Sequence, residues 1–223
     1  MDFTAIKEKI FRYKDQGKKL FSTSSFQTHS IPLLHILSRI DRTIPIYFIN
    51  TGYHFAETLE FRDRVAEMLK LNLIDLKSDT PKYLQKDQEG RLLFTSDPDY
   101  CCYLNKVQPV ENLLRTYDVW INGVRADQSR TRSAMKMEQP APHNVIRFHP
   151  LLGWTAKMIY EYRKEYNLPA HPLDSKGYIS VGCEPCTRPF DPEMQEREAR
   201  WFGMKKTECG LHTELAGKTE ERE

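Results

Sequence analysis

A chain of 223 residues, 39% hydrophobic and 11% aromatic, can bury a full core, and its length fits one α/β domain with a tail better than two domains. Its formal net charge of +2, from 33 Lys and Arg against 31 Asp and Glu, gives no sign of a nucleic-acid partner. No run approaches the ~18 consecutive apolar residues of a membrane span, and Met1-Asp2-Phe3-Thr4 has neither the basic nor the apolar region of a signal peptide, so a cytoplasmic protein without a membrane partner is expected.

In chain order, Phe3, Ile6 and Ile10 sit at helical spacing and predict a helix over Asp2 to Lys14, ending before Gly17. Lys19 to Ser24 reads as a short strand running into the polar turn Ser22 to Ser30, and Ile31 to Ile40 as an apolar helix. Strand, polar turn and helix in that order put a helix N-terminus where an anion can be received. A plain capping turn fits the same residues, and without a Gly-rich stretch or a Lys-Ser pair this is not a Walker loop. The unit repeats as a strand at Ile44 to Ile49, a turn at Asn50 to Tyr53, and a helix at Thr58 to Leu69 with Leu59, Val65, Met68 and Leu69 as core positions. Leu71 to Leu76, Val119 to Val124 and Val145 to Phe148 follow as strands. Thr155 to Tyr166 is a helix with Thr155 as N-cap and Asn167-Leu-Pro169 as its stop. The alternation predicts an α/β fold with a mainly parallel, doubly wound sheet that binds ligands at its C-terminal edge.

Two further polar segments fall at that edge. Gly123 to Arg132 carries Arg125, Arg130 and Arg132 just after a strand; it suits phosphate or sulfate, or is a solvated basic loop. The other begins at Cys183 and continues through a charged helix with Arg197 and Arg200 at helical neighbour spacing to Lys205-Lys-Thr-Glu-Cys-Gly-Leu-His212. Residues 204–223 have little apolar periodicity and predict a mobile extension of a domain spanning 1–203, disordered from Ala216 to Glu223.

The five cysteines divide into four and one. Cys183 and Cys186, on a tight turn, fit zinc, a redox dithiol or a chance spacing. Cys101 and Cys102 are contiguous, and neighbouring side chains diverge, which suits the several irons of a cluster better than one zinc ion. Lys106, four residues after Cys102, either faces a thiolate-bound cluster or is a surface lysine. Cys209 stands alone in a polar segment and reads as a nucleophile.

Ser24-Ser-Phe-Gln, Asn50 to Thr58, Gly123 to Arg132, Tyr178-Ile-Ser-Val-Gly-Cys183 and Glu208-Cys-Gly-Leu-His212 together resemble the sulfonucleotide reductases over nearly the whole chain. That family reduces adenylyl sulfate (APS) or its 3′-phosphorylated form (PAPS) to sulfite, and the fold it implies is adenine nucleotide alpha hydrolase-like. The resemblance implies that Cys101, Cys102, Cys183 and Cys186 hold a 4Fe-4S cluster, as in the assimilatory APS reductases; the PAPS-specific branch typically lacks all four. It implies Cys209 as nucleophile, and Lys106, Arg132 (in preference to Arg130), Arg197, Arg200 and His212 at the phosphosulfate. Ser24, Ser25 and Ser30 correspond to a modified phosphate loop, and Ile49 to a backbone contact with adenine. The chain departs from the family where many APS reductases carry a Gly-containing, acidic loop, and at Asn50, where Asp is usual.

The implied reaction is attack of Cys209 on the sulfur of APS, loss of AMP, and release of sulfite by an external dithiol, thioredoxin or a glutaredoxin-like protein. PAPS, or both nucleotides, is the alternative substrate, and a homo-oligomer is compatible with this reading. A non-catalytic nucleotide sensor would have no use for Cys209. An ATP pyrophosphatase-type enzyme would need a Ser-Gly-Gly-x-Asp-Ser loop, and the loop here lacks both glycines and the aspartate.

Overall fold

The computed structural model describes residues 1–193, 199–201, 203, 206, 208–213 and 215. The strands are β1 Leu20–Ser24, β2 Pro45–Ile49, β3 Asn72–Leu76, β4 Val119–Ile121, β5 Glu138–Ala141 and β6 Val145–Phe148. The helices are α1 Phe3–Asp15, α2 Ile31–Ile40, α3 Ala56–Leu69, α4 Leu93–Ser96, α5 Pro98–Cys102, α6 Gln108–Leu114, α7 Arg130–Ser133 and α8 Ala156–Glu165. Asp2 caps α1 by accepting from Ala5 N at 2.8 Å, and Thr155 caps α8 by accepting from Met158 N at 3.2 Å.

Alternation along each strand sends side chains to two opposite apolar layers. Leu20, Ile46, Phe48, Val119, Ile121 and Phe148 join Ile6 and Ile10 of α1, Leu33 and Leu37 of α2, Phe61 and Val65 of α3 and Ile159 of α8. Their strand neighbours Phe21, Trp120 and Val145 face the other way, onto Val110 and Leu114 of α6. Fully burying a side chain of this size is worth roughly 1.5–3 kcal/mol, so these layers, more than helix propensity, hold the helices to the sheet. Of the expected core positions of α3, Val65 and Leu69 are buried, Leu59 is half-buried and Met68 is 47% exposed, while Thr58 and Phe61 are buried as well.

The sheet order is β3-β2-β1-β4-β6-β5, parallel throughout except for β5 against β6. The chain winds outward from β1 to β3 and then crosses to β4 on β1's other side, so the switch point lies between β1 and β4. β5 was not expected. It is an edge strand without an apolar run and contains Pro140, and its Glu138 side chain is tied to α1 through Tyr13 and Lys9. The region 93–114 is assigned no element from the sequence. There α5 runs through a π-helical turn, Tyr103–Val107, into α6. Pro109 has no N–H to give to the carbonyl four residues back, and the ladder widens just before it. Among the described residues no helix is long and apolar enough to cross a membrane.

Candidate active site

The C-terminal ends of β1, β2 and β4 open onto a cleft with about 1330 Å³ of empty space. Its first wall is the turn after β1, where Ser24, Ser25, Gln27 and Ser30 line the cleft. Ser24 Oγ accepts from Phe26 N at 3.1 Å, and the Ser25 and Ser30 hydroxyls lie 3.2 Å apart. Phe26 occupies the left-handed region (φ 53°) that favours glycine; its fully buried ring packs edge-on against Phe48 and offsets that strain. From behind, Thr28 donates to Asp174 at 2.5 Å and accepts from His171 N at 2.8 Å, while Gln27 Oε1 accepts from Val181 N at 3.1 Å. The hydroxyls are thereby held at the N-terminus of α2, where unsatisfied N–H groups and the helix dipole favour an anion. Ile49, at the end of β2, lines the same cleft.

Facing the turn are cations. Arg132 is buried and lines the cleft, whereas Arg130 is exposed and Arg125 pairs with Asp127 at 2.9 Å. The Arg132 guanidinium is committed to Glu208: Nε and Nη2 donate to its carboxylate at 3.2 and 3.1 Å, and Nη1 donates to Gln128 at 2.6 Å. Ser129 Oγ donates to the same carboxylate at 3.1 Å, and Cys209 N at 3.0 Å. A second arginine, Arg147 on β6, is fully buried over the Trp120 ring at 4.2 Å. It donates to Leu211 O at 2.8 Å and meets His212 Nδ1. Burial lowers the Arg147 pKa to about 9, and the neighbouring Arg132 adds to the drop. Leu211 and the buried Leu215 pack on the Phe21 and Trp120 layer. Two buried arginines therefore seat the described part of the C-terminal segment and bring Cys209 to the cleft wall.

Arg200 also lines the cleft, stacks on Trp201 at 4.7 Å and donates to Val181 O at 3.2 Å. Gly182 makes room for it, since a Cβ there would stand 2.0 Å from Arg200 Nη2. Arg197 lies outside the described residues.

Beside the cleft, Cys101, Cys102, Cys183 and Cys186 line a second, smaller cavity of about 320 Å³, and Lys106 lines both. The Cys183-to-Cys186 turn is stitched to the turn after β2: Glu184 N donates to Tyr53 O at 2.7 Å, His54 and Cys183 form an antiparallel bridge, and Thr51 Oγ1 lies 3.3 Å from Cys183 Sγ. Cys186 O accepts from Trp201 N at 3.0 Å. Asn105 Nδ2 donates to Cys101 O at 2.9 Å and reaches Cys101 Sγ at 3.7 Å. Burial pushes the Cys101 thiol up to about 12, with Cys102 and Cys183 adding to the shift; burial also raises Cys102 and Cys186. Cys183 moves the other way. Burial opposes its ionisation, but Lys106, the Thr51 hydroxyl and Arg200 outweigh it and bring its pKa down. Lys106 is the counterpart: burial disfavours its charge, and the sulfurs of Cys183, Cys102 and Cys209 raise its pKa regardless.

Among the described residues no three His, Cys, Asp or Glu side chains close on a single metal ion. The four sulfurs instead share the walls of one cavity. That donor set, with a lysine to balance thiolate charge, fits a multi-iron core whose ligands stand apart.

The expected residues thus come together: Ser24, Ser25, Ser30, Ile49, Lys106, Arg132, Arg200, Cys209 and His212 line one cleft, and the other four cysteines the adjoining cavity. Lys106 is not a surface lysine. Arg132, expected at the substrate, lines the cleft while its Nε and Nη2 donate to Glu208. Sequence reasoning missed Arg147 and Asn122. An arginine inside the apolar run Val145–Phe148 was the available signal for the first.

Comparison with known proteins gives a consistent result. The phosphoadenosine phosphosulfate reductase domain model matches residues 19–189. The chain is 37% identical over 204 residues to the adenosine 5′-phosphosulfate reductase of Chelativorans sp. (strain BNC1), covering 91% of this chain and 82% of that protein. The crystal structure of phosphoadenylyl-sulfate reductase from Candida auris aligns with a TM-score of 0.66 at 22% identity, over 80% of this chain and 88% of that one. Candida glabrata FMN adenylyltransferase aligns with a TM-score of 0.57 at 16% identity, over 91% of this chain and 67% of that one. At these identities the two structures show the fold, the mostly parallel adenine nucleotide alpha hydrolase-like sheet.

Proposed function

The chain belongs to the phosphoadenosine phosphosulfate reductase family, and on that premise we propose that it reduces adenosine 5′-phosphosulfate to sulfite and AMP with Cys209 as nucleophile. The observation that carries this reading is that Cys209 opens into the same cleft as the serine turn, Lys106, Arg200 and His212. The name of the Chelativorans relative and the four further cysteines favour APS over its 3′-phosphorylated form.

The serine turn and the N-terminus of α2 hold the nucleotide phosphate, and Lys106, Arg200 and His212 face the sulfate end. The Cys209 thiolate attacks the sulfate sulfur; a sulfur–sulfur bond forms, the bridging sulfur–oxygen bond breaks, and AMP leaves with that electron pair. Cations around the leaving phosphate stabilise the charge it gains. The enzyme is left as an S-sulfocysteine. A thiolate of an external dithiol, of thioredoxin or glutaredoxin type, then attacks Cys209 Sγ and expels sulfite with the sulfur–sulfur electron pair. The second thiol of that reductant resolves the mixed disulfide, so the reductant leaves oxidised and Cys209 returns as thiol. Such dithiols belong to the cytoplasm, where the reaction is placed.

Cys101, Cys102, Cys183 and Cys186 would hold a 4Fe-4S cluster, which supplies a fixed, charged centre beside the sulfate end of the cleft. Lys106, which lines both spaces, would balance the negative charge of that group while facing the cleft.

Incubating the protein with APS and no reductant is expected to add one sulfite mass at Cys209, and Cys209→Ser to abolish the adduct while retaining iron. An adduct that persists in Cys209→Ser removes Cys209 as nucleophile. Cys183→Ser is expected to lose the iron of the anaerobically purified protein, and stoichiometric zinc without iron in the wild type would defeat the cluster reading.

A further inference from the structure

We infer that Asn122 is a specificity-determining residue that takes a ribose hydroxyl of the bound nucleotide. The inference rests on the nucleotide-cleft reading above and names the group recognised by the cleft floor.

Asn122 directly follows β4 and lines the cleft. Only 5% of it is exposed, and neither the nitrogen nor the oxygen of its amide has a hydrogen-bond partner among the described residues. Native folds rarely leave a buried amide in that state, because desolvation goes uncompensated until a ligand or water completes it. The backbone at this point is fixed, with Asn122 N donating to Phe148 O at 3.0 Å. The polar groups around it are committed elsewhere: Ser22 Oγ donates to Ile121 O at 2.9 Å, and Trp120 Nε1 to Thr23 Oγ1 at 2.9 Å. Gly123 adds no side chain. Among these side chains the Asn122 amide is the one with neither its donor nor its acceptor used.

An uncharged amide presents a donor and an acceptor side by side, which matches a hydroxyl, a group that both donates and accepts. A phosphate offers acceptors alone, and the cleft answers it elsewhere with cations. Position narrows the choice further. Asn122 follows β4, the neighbour of β1, so a group it takes lies beside the turn after β1 that would hold the phosphate, and the sugar is the uncharged part of the nucleotide attached to that phosphate. His149, at the matching position after β6, is buried against the Asn122 backbone and does not line the cleft. Burial and Arg147 hold its pKa down to about 3, so it brings no charge to this part of the floor.

The test titrates the cluster-loaded protein calorimetrically with AMP, 2′-deoxy-AMP and 3′-deoxy-AMP, for the wild type, Asn122→Ala and Asn122→Leu. Because the amide makes no internal hydrogen bond, both variants are expected to fold with a midpoint at or above that of the wild type. Wild type is expected to bind one of the deoxy nucleotides about tenfold more weakly than AMP. In both variants AMP affinity is expected to fall about tenfold and that discrimination to vanish. A wild type indifferent to both deletions, variants that still discriminate, or a loss shared equally by all three nucleotides would overturn the role of Asn122 and leave the proposed function standing. A wild type that binds none of the three would overturn both.

Discussion

Replacing Glu208 tests how Cys209 is held. Among the described residues its carboxylate receives two hydrogen bonds from Arg132 and one each from Ser129 and Cys209 N. The ion-pair side chains are 9% (Arg132) and 5% (Glu208) exposed, so solvent screens the pair little. Removing one partner of a buried pair costs ~3–5 kcal/mol, much of it the charge left stranded. Arg132 keeps Gln128 and borders an open cleft, which puts Glu208→Ala at the lower end, ~3 kcal/mol, or on the order of 100-fold in the seating of the C-terminal segment. Glu208→Gln keeps one acceptor oxygen, enough for Ser129 or Cys209 N but not both, and loses the charge; it is expected to cost about tenfold. The assay is single-turnover formation of the S-sulfocysteine from APS, followed by mass, with the rate of iodoacetamide alkylation at the Cys209 peptide measured alongside. Glu208→Ala is expected to slow sulfonation about 100-fold and to speed alkylation. A variant that sulfonates at the wild-type rate would refute the reasoning.

Arg147→Met keeps an apolar chain over Trp120 but gives up the bonds to Leu211 and His212. We expect kcat/KM to fall on the order of 10- to 100-fold with little loss of thermal stability, since a desolvated cation is removed as well; a large drop in Tm with unchanged turnover would contradict this. His171 bears on stability. Its Nδ1 accepts from Leu173 N at 3.2 Å, which puts the proton on Nε2 facing Thr58 at 3.1 Å, and burial holds its pKa down to about 4. The unfolded chain therefore takes up more protons below about pH 6.5, and stability is expected to fall as pH drops from there toward 4, by up to ~1.4 kcal/mol per unit for this one group. Urea midpoints measured between pH 7 and pH 5 should fall less steeply for His171→Asn than for the wild type, and equal slopes would dismiss the contribution.

The parallel strands were legible because each is a short apolar run between turn signals, and the order of strand, polar turn and helix located the cleft at their C-terminal ends. β5 was not, because an edge strand needs no apolar pattern and Pro140 argues against one. The helical stretch around Cys101 was obscured by Pro98, Pro109 and the π turn, which break the period that reveals a helix. The residue types at the site were readable from spacing and resemblance, but their pairing was not. Nothing local says that Arg132 answers a carboxylate 76 positions away, or that an arginine in an apolar strand reaches Leu211. Phe26 shows the opposite failure. Its left-handed backbone is a glycine's position, yet a phenylalanine is held there by a pocket that only the folded core supplies.

The π turn at Tyr103–Val107 has a consequence for how this chain tolerates changes of length. Before it, Cys101 and Cys102 face their shared cavity; from its last residue, Val107, onward, Val107, Val110 and Leu114 face the Phe21 and Trp120 layer. In an α-helix each residue turns about 100°, so deleting one residue here, or inserting another, would rotate one of those faces away from its partner. The segment can then serve the core or the cysteines, but not both. Substitutions along it are graded in their effect, whereas a single-residue deletion or insertion acts as a break between the Cys101–Cys102 thiols and the body of the protein.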